Sequence, residues 1–182
     1  IRAVRKRTGL DFVVAVKLNS SDFQKGGFSH SDSIQVAKII EQESVDFIEI
    51  SGGNFESPKA YQHSPSSKSS TAREAYFLSY AVEIKAALRI PIMVTGGFRS
   101  VAIMNSAIES FATDLIGIGR PFVIDPAFPS KLIGGDMISA PTIERNFPPA
   151  TDLPKGAVSN WFCDQLTIVD LPHHLHRQLP LD

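Results

Sequence analysis

Apolar residues gather along this chain in two kinds of run, and the alternation between them predicts strands and helices in turn. Short, nearly continuous runs predict strands at Phe12-Val13-Val14-Ala15-Val16-Lys17-Leu18, at Asp46-Phe47-Ile48-Glu49-Ile50, from Ile92 to Thr95 and from Leu115 to Ile118. Pro91 precedes the third run, at the one end where a strand tolerates proline. Strands of this composition fit a parallel sheet covered on both faces. Between them, apolar residues recur at helical spacing. Ile34, Ala37 and Ile40 follow a capping Ser31, and Val101, Met104, Ile108 and Phe111 follow a capping Ser100. Phe77, Tyr80, Ala81, Ile84 and Leu88 form a third stripe, from about Ala72 to Arg89. These stripes read as core facing the sheet rather than as a cofactor box. Strand–helix alternation predicts an α/β fold with right-handed parallel crossovers.

Two stretches break the pattern. Asn54 to Thr71 holds two prolines and many serines with no apolar period. It reads as an extended loop or lid at the ligand-bearing end of the sheet, or as an insertion with no catalytic role. Beyond Gly134, the chain is interrupted by Pro141, Pro148, Pro149 and Pro154 and carries a helix-like piece around Trp161. This is expected to be a C-terminal extension rather than a second domain. The chain opens on Ile1 directly before a helix-like end, which suggests a segment of something larger; processing of a complete protein accounts for it too.

Composition narrows the function classes. The 182 residues are 43% hydrophobic and 20% charged, with a formal net charge of -1. That is the profile of a globular chain with a substantial core, and it gives no reason to expect nucleic acid or an anionic membrane as partner. Cys163 is the only cysteine, so neither a disulfide framework nor a cysteine-based metal site is available within one chain. No run is long enough to span a membrane, and the N-terminus lacks a signal-peptide hydrophobic region, so a cytoplasmic location is expected. His30 and His63 stand in polar loops, and His173, His174 and His176 crowd the tail without a carboxylate–histidine spacing, so no metal site is expected.

The chemistry concentrates in two glycine turns. Ile92-Met93-Val94-Thr95-Gly96-Gly97-Phe98 and Asp114-Leu115-Ile116-Gly117-Ile118-Gly119-Arg120-Pro121 each join a strand-like run to a helix-like one. Glycine permits close approach of a ligand, and N–H groups at a helix start are poised for an anion. Gly96, Gly97, Phe98 and Gly119 can offer such groups, and Arg120 adds a planar fork suited to phosphate oxygens. Each glycine taken singly reads better as a tight turn; together, with Arg120, they favour a phosphate cup of the kind (β/α)8 barrels carry after strands seven and eight. Lys17, at the end of an otherwise apolar strand, can stabilise negative charge on a ligand, or can simply reach solvent. Asp22, Asp114 and Asp125 read as partners of nearby cations or as caps.

At this point the motifs resemble a family. Val16-Lys17-Leu18-Asn19-Ser20 with Asp22-Phe23 and Gly26-Gly27-Phe28 is similar to the fifth-strand region of old-yellow-enzyme-like NADH:flavin oxidoreductases. Ile48-Glu49-Ile50-Ser51-Gly52-Gly53 resembles their sixth strand, and Val94-Thr95-Gly96-Gly97-Phe98-Arg99-Ser100 their seventh. Asp114 through Gly119-Arg120-Pro121, then Asp125-Pro126, resembles the eighth strand and the turn after it. The likeness runs from about Val4 to Ile133, and the motifs fall in the family's order.

The resemblance implies a (β/α)8 TIM-barrel protein, FMN-dependent, that reduces activated C=C bonds with electrons from NADH or NADPH. It implies that Gly96, Gly97 and Phe98, with Gly119 and Arg120, hold the FMN phosphate. It places Lys17, where many relatives carry arginine, near the pyrimidine edge of the flavin, and Ser51 near the ring. Only about the C-terminal four β/α units are found, whereas a complete barrel has eight strands and typically about 250 residues. Residues 1–133 are thus expected to be the C-terminal half of an FMN-binding barrel, with 134–182 a partly helical extension. The substrate-binding pair and the proton donor of the family fall in the other half, so no catalytic residue is assigned, and the chain is expected to be weakly active or inactive by itself. Its expected partners are a small activated alkene and either a second copy of itself or a complementary N-terminal half barrel. Two alternatives stand beside this: a non-catalytic half barrel that binds phosphate or FMN or serves in association, and a different phosphate-binding barrel.

Overall fold

The computed structural model describes residues 1–53, 74–143 and 157–166. It divides into two compact units, Ile1–Gly117 and Ile118–Asp182. The first unit opens with helix α1 (Arg2–Thr8) and then alternates: β1 (Ala15–Asn19), α2 (His30–Gln42), β2 (Phe47–Ser51), α3 (Leu78–Ala86), β3 (Ile92–Thr95), α4 (Val101–Glu109) and β4 (Leu115–Gly117). All three strand pairs are parallel, and the strands lie side by side in chain order, β1-β2-β3-β4. Sequential parallel strands joined through helices are the repeating unit of a (β/α)8 barrel.

Strand alternation sorts the side chains into two faces. Ile48, Ile50, Ile92 and Val94 point to the helix side and are fully buried. The opposite face carries two rows: Lys17, Glu49, Met93 and Leu115, then Asn19, Ser51, Thr95 and Gly117 nearer the strand ends. This second face is only partly open: Lys17 and Leu115 are exposed, the latter by 43%, Gly117 is buried and the other five residues are half-buried. The interior of a closed barrel is filled by alternate strands from around the whole ring, and four strands supply only part of that layer.

Several elements sit differently from the pattern's prediction. Strand β1 begins at Ala15, not Phe12, because the Asp46 carboxylate takes the Val14 N–H (2.6 Å) and Arg5 takes the Phe12 carbonyl (2.5 Å). Those bonds hold the approach to the strand outside the ladder, leaving Phe12 and Val13 exposed. Helix α2 is capped by Ser29 rather than Ser31. Ser29 and Asp32 form a reciprocal capping box, and Ser31 has no acid three residues on to do the same. Ser100 does occupy the cap position of α4, but its hydroxyl does not cap. In that helix Ala107 is the buried residue, while Phe111 turns away at φ +57 and is 78% exposed, so the expected stripe fails at its last member. Helix α3 starts at Leu78 because Glu74, Tyr76 and Phe77 are engaged with the turn after β3; Phe77, Ala81 and Ile84 are buried as its stripe predicts.

In the second unit, α5 (Arg120–Ile124), α6 (Phe128–Gly134) and α7 (Ala157–Leu166) follow. Phe122 and Phe128 pack edge to face at 4.8 Å, and Trp161 and Phe162 are buried on α7, the helix expected around Trp161. The expected loop at 54–71 lies outside the described residues, as do His63 and the tail histidines. Among the described residues no helix is long and apolar enough to cross a membrane.

Candidate functional site

Lys17 is the third of the five residues of β1, so it stands within the open face and not at the strand's end. Its in-register neighbour on β2 is Glu49, and the two are paired, Nζ to Oε1 at 2.8 Å. One row nearer the strand ends, the Ser51 hydroxyl donates to Asn19 Oδ1 at 3.4 Å, and Asn19 Nδ2 donates to Asp22 Oδ1 and to the Gly53 carbonyl. Asp22 in turn accepts the Phe28 N–H at 3.1 Å, which folds the glycine-containing loop after β1 back on itself. Thr95 shares this row. Its hydroxyl is buried, has no hydrogen-bond partner among the described residues, and lies against Gly117, where a Cβ would come within 1.7 Å of it.

The turn after β3 is built by three chain segments. Gly97 has φ +81, a conformation that favours glycine, and a Cβ there would lie 2.1 Å from the Glu74 carbonyl oxygen and 2.5 Å from the Tyr76 ring. At Gly96 a Cβ would meet the Phe77 ring at 2.6 Å. The space beside both glycines is therefore filled by the chain itself, so close packing accounts for their lack of a side chain. Their backbone donors are a separate matter. The Glu74 carboxylate accepts from Arg99 N–H (3.2 Å), Ser100 N–H (2.8 Å) and the Ser100 hydroxyl (2.9 Å), an acidic group at a helix start where it is favoured. The N–H groups of Gly97 and Phe98, just before, have no partner among the described residues.

Gly119 and Arg120 open α5 in the second unit. Gly119 has φ -111, accessible to any residue, and a Cβ there would meet nothing within 4 Å among the described residues. Among the described residues neither backbone nor packing asks for glycine at 119, in contrast to 97. Of the three aspartates read as cation partners or caps, Asp22 is neither among the described residues, accepting from Asn19 and the Phe28 N–H, whereas Asp114 and Asp125 fit the expectation. Asp114 accepts the Ile92 N–H at 2.8 Å and pairs with Lys85; burial works to raise its carboxyl, but those two partners outweigh it and hold it below the usual carboxylate range. Asp125 accepts the Ala127 N–H and pairs with Lys131 at 2.5 Å.

The site residues of the first unit, Lys17, Ser51, Gly96, Gly97 and Phe98, thus fall on the open face and the turn beside it. Sequence reasoning passed over four residues here: Glu49, Glu74, Thr95 and Gly117. Glu49 carried a signal, an acid within an apolar run like that of Lys17, and Gly117 carried one as a glycine of the second turn.

Parallel strands in sequential order, joined through helices, define part of a (β/α)8-barrel fold. The model of the NADH:flavin oxidoreductase / NADH oxidase family matches residues 1–136, and the chain belongs to that family. It is 34% identical over 140 residues to an NADH-dependent flavin oxidoreductase of Neonectria sp., covering 73% of this chain and 18% of the relative. An NADH-dependent flavin oxidoreductase of Talaromyces variabilis is likewise 34% identical, over 73% of this chain and 33% of its own length. The chain therefore spans about a fifth to a third of the length of these relatives. Among solved structures, a 2-naphthoyl-CoA reductase complex superposes with a TM-score of 0.63 at 25% identity, over 76% of this chain and 21% of that one. An old yellow enzyme homologue from Zymomonas mobilis shares the fold, with a TM-score of 0.51 over 84% of this chain and 39% of its own, at 19% identity.

Proposed function

We propose that this chain is the phosphate-binding half of an FMN-dependent NAD(P)H oxidoreductase of the ene-reductase type. The observation that carries this reading is the pair of N–H groups at Gly97 and Phe98, which have no partner among the described residues and lie in the turn between β3 and the Ser100 cap of α4. In the second unit, Gly119 has a φ open to any residue, and a Cβ there would meet nothing within 4 Å among the described residues, which leaves room for a ligand beside the Arg120 helix start. A phosphorylated flavin fits this donor set, which pairs anion donors with a cation, Lys17, on a face of mixed polarity. When bound, FMN supplies a two-electron carrier, taking hydride from NADH or NADPH and passing it to an activated carbon–carbon double bond.

The chain's own part is binding and electrostatics. Gly96, Gly97 and Phe98 present backbone donors to the phosphate, and Gly119 and Arg120 are assigned to the same group by resemblance. Lys17 provides a fixed cation for the flavin's pyrimidine edge, favouring its anionic reduced form, and Ser51 serves the ring. The family's substrate-binding pair and proton donor fall on other strands. This chain by itself is accordingly weakly active or inactive and works with a complementary half barrel or a second copy. Residues 1–133 form the barrel segment and 134–182 an extension. A reducing, cytoplasmic setting suits the exposed Cys163 thiol.

Phosphate recognition is tested by titrating the chain with FMN and with riboflavin, followed by flavin fluorescence. The reading predicts that FMN binds at least about tenfold more tightly, a difference of about 1.4 kcal/mol. Equal affinities, or no binding of either, would contradict it.

A further inference from the structure

Lys17 and Glu49 face each other across β1 and β2 in direct register, 2.8 Å apart, with side chains 57% and 19% exposed. The in-register neighbour of Glu49 on its other side is Met93, which carries no charge. Glu49 is thus a sheltered carboxylate whose one ionic partner among the described residues is the cation assigned to the flavin. A pair with so exposed a lysine adds little to stability. Its consequence is for the charge presented on the open face, where Glu49 offsets part of the positive charge that a lone lysine would present.

Resting on the FMN reading, we infer that Glu49 is a charge-balancing residue that offsets Lys17 and so sets how strongly that lysine favours reduced, anionic flavin. The carboxylate acts through the lysine, as a positioning residue. Relief of the pair leaves the ammonium free to act at full charge on whatever anion develops over the open face.

The test is a double-mutant cycle on the full chain, reading FMN affinity and the midpoint potential of bound FMN, with dithionite as reductant and a reference dye. Glu49→Gln raises the ratio of reduced- to oxidised-FMN affinity about tenfold, an upward shift of about 30 mV for a two-electron couple. Lys17→Met moves the potential down, and Glu49→Asp, which keeps the charge, stays near the parent. In the Lys17→Met background the effect of Glu49→Gln shrinks to less than half. An unchanged or lowered potential in Glu49→Gln overturns the inference while leaving the FMN reading intact. A shift of undiminished size without Lys17 overturns it as well, since Glu49 would then act on the flavin directly. Failure of the parent chain to bind FMN overturns the FMN reading, and this inference with it.

Discussion

At Gly97 two requirements coincide, a φ of +81 and a Cβ position only 2.1 Å from the Glu74 carbonyl oxygen. Gly97→Ala therefore strains the backbone and displaces the segment that orders the turn. A loss of about 1–3 kcal/mol is expected, read as a lower midpoint in urea unfolding, together with loss of FMN affinity; an alanine variant with parent stability would contradict the geometry. Gly117 makes the complementary case. Its Cβ would fall 1.7 Å from the Thr95 hydroxyl, so Gly117→Ala is expected to cost about 1–3 kcal/mol as well. Thr95→Ala should restore part of that loss, and a double variant no more stable than Gly117→Ala would show that the crowding lies elsewhere. The two positions also mark what was legible at this scale. Glycine in the β3 turn stood out in the sequence, but the partners that demand it, Glu74 and Tyr76, lie in another crossover and only the fold brings them there. Lys17 was legible as a charge in an apolar run; its pairing with Glu49 required the register of two strands.

The elements are held at their ends by carboxylates. Asp46 takes the Val14 N–H and the Arg5 guanidinium, tying α1 and the approach to β1 to the start of β2. The Val14 N–H first, and then Arg5, hold its carboxyl below the usual range. Asp32 is lowered by the Ser29 side chain and backbone in the capping box, and Glu43 by its hydrogen bond to Arg2. A carboxyl harder to protonate folded than unfolded adds stability above its unfolded pKa, about 4, and that stability is lost as pH falls through the folded value. The thermal midpoint should therefore drop below about pH 4, and Asp46→Asn should flatten that acid limb; superimposable pH profiles for the two proteins would refute the assignment. Ser29→Ala should cost about 0.5–2 kcal/mol, whereas Ser31→Ala should change little, and chemical unfolding of both variants checks which serine caps α2. Strand and helix identities were legible because their apolar periods are long. Their ends were not, since caps and strand starts depend on side chains such as Asp46 that act across the sheet.

For the molecule as a whole, the edges of the sheet bear on how the chain associates. Among the described residues β1 and β4 each have one neighbouring strand, so each leaves an edge unpaired, and Leu115 is partly exposed on the open face. Unpaired edges and exposed apolar surface favour association. Sedimentation velocity should show species heavier than the monomer, with hydrophobic-dye binding that falls when a complementary half barrel is added; a dispersed monomer that binds no dye would contradict this. Four β/α units in order were legible from the sequence because each repeats the same strand–turn–helix pattern. The open face was not, since apolar strands read as covered on both sides and the pattern does not state what covers them. On the reading proposed above, this four-strand unit with its glycine turns holds FMN. The most direct test is the visible absorption spectrum of the purified chain after incubation with FMN and desalting. Retained flavin bands are the predicted result, diminished in Gly97→Ala; a colourless protein after desalting would contradict the claim.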